Sequence, residues 1–143
     1  MHHIAIMRKS WGLLPKILTG EKTVESRWYK NKYAPWDKIK QEDIIYFKNS
    51  GEPITIKAEV SKILQFENLT PKIIKRILDK YAKADLGVDK LTPEIKNYVT
   101  NKNYCILIFF KNPKKIKPFN INKSGFGAMA SWICVEDIAK IKT

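Results

Sequence analysis

The sequence predicts an α+β domain: a small mixed β-barrel with helices inserted between its strands. Three observations carry this. Stretches of period-two alternation or unbroken apolar character recur often enough for about five to seven short strands. Two helical segments, each opened by Thr-Pro, fall together between two of those strands. No repeat, low-complexity tract or linker divides the 143 residues, so residues 1–143 form a single domain around one hydrophobic core.

The elements follow in order. Residues 2–7 (HHIAIM) form a short strand that ends at Arg8 and Lys9. Ser10 is positioned to cap a helix whose apolar residues Leu13, Leu14, Ile17 and Leu18 repeat at helical spacing, with Pro15 in its first turn and Gly20 as its stop. From Thr23 to Trp28 the period drops to two. Thr23, Glu25 and Arg27 then share one face, and Val24, Ser26 and Trp28 the other. Residues 31–43 are a loop around Pro35, 44–49 (IIYFKN) a strand, 50–53 (SGEP) a turn, and 54–66 a long strand with Ile54, Ile56, Ala58 and Val60 on one face. Thr70-Pro71 opens a helix with Ile73, Ile77, Leu78 and Tyr81 on a common stripe, ending at Gly87, and Thr92-Pro93 opens a shorter one. Residues 103–112, the most hydrophobic run, are a central strand. Residues 113–121 bend past two prolines into another extended piece, and a loop marked by Gly125 and Gly127 leads to a last apolar strand.

Lys and Arg outnumber Asp and Glu by 27 to 14, a formal net charge of +13. Such a domain attracts polyanions, because phosphate counterions are released on contact; a lysine-rich surface kept for solubility accounts for the same charge. Only three of the cations are arginines (Arg8, Arg27 and Arg76), the residue suited to forked, directional contacts, which makes Arg27 the informative one. Cys105 and Cys134 sit in apolar runs and read as buried thiols. His2 and His3 are adjacent, with no further Cys or His at ligand spacing, so neither metal nor cofactor is expected. No window approaches the roughly 18 apolar residues of a membrane span, and the first residues lack the layout of a secretion signal, which points to a cytoplasmic protein without membrane contact.

The densest charge lies in GEKTVESRW, residues 20–28. Glu25 and Arg27 are two apart on one face of a strand, so an ion pair or a shared ligand is within reach. Trp28, Trp36 and Trp132 lie on or beside loops, and aromatic faces next to cations are how single-stranded nucleic acid is gripped. A solvated edge strand with buried tryptophans accounts for the same residues.

Residues 17–28, ILTGEKTVESRW, resemble the signature of the ASCH family, a helix ending in glycine followed by G-x-K-x-x-E-x-R. Gly20, Lys22, Glu25 and Arg27 match each fixed position. The likeness extends to the Pro35-Trp36 loop, the EDIIYF strand at 42–47, the inserted helical segment, and the late Gly-x-Gly loop with its tryptophan (SGFGAMASW, 124–132). The resemblance implies a barrel like that of the PUA domain, a fold associated with RNA binding. It also implies a basic cleft that accepts RNA or a nucleotide-like ligand. There Lys22 and Arg27 would meet a phosphate or carbonyl, Glu25 would take a base edge or orient Arg27, Trp132 and Trp28 would form the wall, and Lys123 and Ser131 would add contacts.

The family also contains enzymes. One branch removes the acetyl group of 4-acetylcytidine with a lysine, a threonine and a glutamate. Its threonine aligns with Glu25 here, which keeps Lys22 and removes the hydroxyl at that position. The alternative function is therefore a metal-independent hydrolase of RNA or of a modified nucleoside such as acetylated cytidine. In that case Glu25 would act as base, Lys22 and Arg27 as charge stabilisers, and Ser131 or Tyr33 as a further donor.

Overall fold

Alternation and apolar runs set the strands β1 (His2–Met7), β2 (Val24–Tyr29), β3 (Ile44–Asn49), β4 (Ile54–Phe66), β5 (Tyr104–Phe119) and β6 (Trp132–Val135). Helix α1 (Leu13–Thr19) joins β1 to β2, and α2 (Pro71–Leu86) and α3 (Pro93–Val99) are inserted between β4 and β5. The computed structural model describes residues 1–87, 92–127 and 129–143. The strands form one sheet in the order β2-β5-β4-β3-β1-β6. Only β1 and β3 run parallel; the other neighbours are antiparallel. The mixed sheet curls into a half-barrel whose two edges are β2 and β6.

Side-chain alternation divides the apolar residues among three clusters. Ala5, Met7, Ile45, Phe47, Ile56, Ala58, Val60, Ile106 and Ile108 fill the inner face, closed by Leu13, Leu14 and Ile17 of α1. On the outer face, Ile4, Ile6, Tyr46 and Ile133 pack under the C-terminal segment. Also outside, Val24, Trp28, Cys105 and Leu107 pack under α2 and α3. The stripe of Ile73, Ile77, Leu78 and Tyr81 turns α2 toward that last cluster, as its spacing predicts. The hydroxyls of Thr70 and Thr92 cap α2 and α3 by accepting the amides of Ile73 and Ile95. Among the described residues no helix is long and apolar enough to cross a membrane.

Three local expectations are corrected. Ser10 caps no helix: it lies inside a short 3-10 turn (Lys9–Trp11), and Gly12, in the left-handed region at φ 61°, precedes α1 instead. Residues 104–119 form one strand rather than two pieces. Beyond Phe109, β2 no longer pairs with β5, so Pro113 and Pro118 sit on an open edge where a missing N–H breaks no ladder bond. Ile54 packs with the outer cluster and not with Ile56, because the register slips between them.

Candidate functional site

Gly20, at φ 83°, ends α1 and turns the chain into β2, which brings Lys22, Glu25 and Arg27 to the open seam of the half-barrel. Glu25 and Arg27 stand opposite Ile108 and Ile106 and so face inward, whereas Ser26 and Trp28, opposite Leu107 and Cys105, face the inserted helices. All three charged residues are buried, with 0%, 4% and 7% exposure for Lys22, Glu25 and Arg27.

Their partners are one another and Asp85, at the end of α2. The Lys22 ammonium donates to Glu25 Oε1 at 3.0 Å, to Asp85 Oδ1 at 2.6 Å, and to the carbonyls of Val24 and Asp85. Arg27 Nε and Nη2 converge on Glu25 Oε2 at 3.0 and 2.7 Å. The remaining guanidinium donors cross the seam: Nη1 reaches the Ser131 carbonyl at 3.1 Å and Nη2 the Ile6 carbonyl at 3.3 Å. The guanidinium also lies over the Trp132 ring, 5.0 Å from its centre. Asp85 completes the set by accepting from the Ser26 hydroxyl, which in turn accepts from Trp28 Nε1 at 3.0 Å. Two cations and two carboxylates thus form a buried, neutral network.

Burial disfavours charge on each member, and the pairing decides the balance. For Lys22, burial is outweighed by the carboxylates of Asp85 and Glu25, and its pKa rises. For Glu25, burial is outweighed by Lys22 and Arg27, and its pKa falls. For Asp85, burial prevails over the pull of Lys22 and the pKa rises. Glu25 is held ionised and is correspondingly a poor proton acceptor.

A cleft of about 170 Å³ opens between β2 and the inserted helices. Glu25, Ser26, Arg27 and Asp85 line its floor, Trp11, Trp28 and Tyr98 its walls, and Arg8 and Ser131 its rim. Trp11 and Tyr98 meet edge to face at 5.7 Å, with the Arg8 guanidinium 5.1 and 5.3 Å from their ring centres. Of the residues singled out in the sequence, Glu25, Arg27, Trp28 and Ser131 reach this cleft. Lys22 lies beneath its floor, and Trp132 is buried, its Nε1 donating to His3. Lys123 donates to the Ala130 carbonyl, and Tyr33 is 60% exposed against Tyr29. Sequence reasoning missed Arg8, Trp11, Ser26, Asp85 and Tyr98. Asp85 left a signal, an acid extending the apolar stripe of α2 four residues past Tyr81.

The fold is shared with solved structures. The ASCH protein of Zymomonas mobilis superposes with a TM-score of 0.67 at 12% identity, over 99% of this chain and 96% of that one. The chain has an ASCH-domain fold. A tyrosine-to-phenylalanine variant of that ASCH protein matches at 0.67 and 13% identity, over 97% and 93% of the two chains, and a serine-to-alanine variant at 0.69 and 12%, over 97% and 91%. No protein-family model and no curated protein sequence matches the chain. Among the described residues no group of three or more His, Cys, Asp or Glu is placed to hold a metal ion.

Behind the cleft, His3 is fully buried, its Nε2 bonded to Asp43 at 2.8 Å. Trp132 Nε1 donates to His3 Nδ1 at 3.1 Å, which puts the ring proton on Nε2, toward Asp43. Burial outweighs the Asp43 carboxylate and lowers the His3 pKa; burial lowers that of His2 as well.

Two outcomes follow for urea unfolding. Lys22→Met, which strands Asp85 and leaves Glu25 to Arg27 alone, lowers stability by about 3–5 kcal/mol, whereas Arg8→Ala on the rim costs no more than about 1 kcal/mol; a Lys22→Met protein as stable as the parent contradicts the buried network. A histidine whose folded pKa is depressed leaves the unfolded chain binding more protons, so stability falls as pH drops through about 6.5. The loss between pH 7 and 5.5 is smaller in His3→Asn, and a flat profile contradicts it.

Proposed function

We propose that this ASCH domain binds RNA or a nucleotide-bearing ligand by seating one base in the cleft. The observation that carries the reading is a neutral hydrogen-bonding floor, Glu25 and Arg27, set between the aromatic walls of Trp11, Trp28 and Tyr98. Size narrows the occupant. An apolar cavity of about 150 Å³ holds benzene, and drug-sized ligands need roughly 300–1,000 Å³, so about 170 Å³ suits a single ring system such as a pyrimidine. Glu25 Oε1, which accepts only from Lys22, retains a lone pair for a base amine, and Arg27 presents the opposite polarity beside it. Lys22 serves by holding Glu25 ionised. Phosphate meets Arg8, which carries no ion pair among the described residues, and the surrounding positive field of a +13 chain.

A second reading, hydrolysis of RNA or an acylated nucleoside in the same cleft, is favoured by one observation. The Ser26 hydroxyl, on the strand position next to Glu25, is oriented by Asp85 and Trp28 and lines the cleft. It supplies a hydroxyl nucleophile of the type that the acetylcytidine-cleaving branch carries where this chain has Glu25, and it shifts the role of base from Glu25 to Asp85.

Anisotropy of labelled single-stranded RNA at low salt tests the first reading. Trp11→Ala and Tyr98→Ala each weaken binding by about 1–3 kcal/mol through lost stacking, and absence of binding by the parent, or variants that bind as tightly as the parent, contradicts it. For the second, micromolar protein incubated for hours with RNA and with 4-acetylcytidine yields product that Ser26→Ala abolishes. No turnover, or turnover indifferent to Ser26, removes it.

A further inference from the structure

The stripe that turns α2 toward the sheet leaves one apolar residue to the side. Ile74, four residues before Leu78 and so on the same flank of the helix, is half-buried, as are Leu78 and Leu69, the latter just ahead of the helix. With the buried Val99 of α3 they form the aliphatic floor of a second cavity, a groove of about 610 Å³ between the first turns of α2 and the chain leaving α3. Backbone hydrogen bonds fix its frame. The Leu69 amide donates to the Asn103 carbonyl at 3.3 Å and the Asn103 amide to the Tyr29 carbonyl of β2 at 2.9 Å, while Asn101, at φ 66°, turns the chain out of α3. Leu78 and Val99 also line the seam cleft, so the groove stands back to back with it.

Size, charge and shape together narrow what the groove can take. A volume of about 610 Å³ falls within the roughly 300–1,000 Å³ of small-molecule sites. An apolar floor inside a polar rim is the usual makeup of such a site. The rim is basic: Lys75 is matched by Asp79 at 3.3 Å, but Lys96 and Lys102 meet no carboxylate among the described residues, and the Lys102 ammonium lies 5.2 Å from the Tyr98 ring centre. Two uncompensated cations beside an aliphatic floor complement a ligand that is apolar along its body and anionic at one end. Among the described residues no aromatic side chain lines the groove, so a nucleobase finds no ring to stack on. A second copy of a chain with net charge +13 would bring charge of the same sign.

We propose that this groove binds a small amphipathic anion, its aliphatic body on Leu69, Ile74, Leu78 and Val99 and its oxyanionic head at Lys96 and Lys102. The site does not depend on what the seam cleft holds.

The test follows amide chemical shifts of the full chain with octanoate, octanol, octylammonium and acetate, each below its micelle concentration. Octanoate moves the amides of residues 72–78 and 99–103 saturably. Octanol, with the same body and no charge, binds about tenfold more weakly, and octylammonium and acetate leave these amides in place. Replacing both rim cations, Lys96→Gln with Lys102→Gln, brings octanoate down to the affinity of octanol, whereas Ile74→Ser weakens both. Octanol binding as tightly as octanoate, octanoate binding unchanged by the double replacement, or shifts confined to the seam cleft each overturn the site. A single-stranded oligonucleotide that moves the same amides at lower concentration than octanoate overturns the small anion as its occupant.

Discussion

An open sheet bent into half a barrel leaves two edges apart, and in this protein the Arg27 guanidinium spans them. From β2 it donates to the Ile6 carbonyl of β1 and to the Ser131 carbonyl next to β6, while Glu25 fixes its other side. The planar fork makes this possible: one group supplies donors in several directions at once, which an ammonium on a flexible stem does not. The requirement then passes down the chain. Glu25 must be ionised to hold Arg27, Lys22 keeps it so, and Asp85 balances Lys22, tying the inserted helix α2 to the seam. Each member is costly to bury alone, and the set is tolerable because each charge meets an opposite one.

This neutrality shapes what the cleft can do. A floor of paired charges offers hydrogen bonds of both polarities and little net attraction for an anion, so it suits the edge of a base better than a phosphate. The aromatic walls come from segments far apart in the chain, Trp11 after β1 and Tyr98 in α3, and exist as a pair only because the insertion folds back over β2. Ser26 and Glu25, neighbours on one edge strand, reach the same cleft from opposite faces of the sheet.

Much of the fold was legible because local rules decide it. Period-two alternation located β2, β3 and β4, Thr-Pro pairs located α2 and α3, and Gly20 and Gly87 marked the helix ends. The misreadings arose where a tertiary partner sets the outcome. Pro113 and Pro118 do not divide β5 because β2 has already ended, and Ile54 changes cluster at a register slip that only the pairing reveals. The site divides in the same way. Glu25 and Arg27, two apart on one strand, were evident as a pair, but Asp85 lies 63 residues beyond Lys22, and the sequence had no means to show that Lys22 is sealed beneath the floor.

A double-mutant cycle between Glu25 and Arg27, read by urea unfolding of Glu25→Gln, Arg27→Met and the pair, tests the seam most directly. Mutual dependence predicts a coupling of about 2–3 kcal/mol, the double variant losing far less than the sum of the singles. Losses that add to within about 0.5 kcal/mol contradict it, because two residues that hold each other across an open barrel cannot be removed independently.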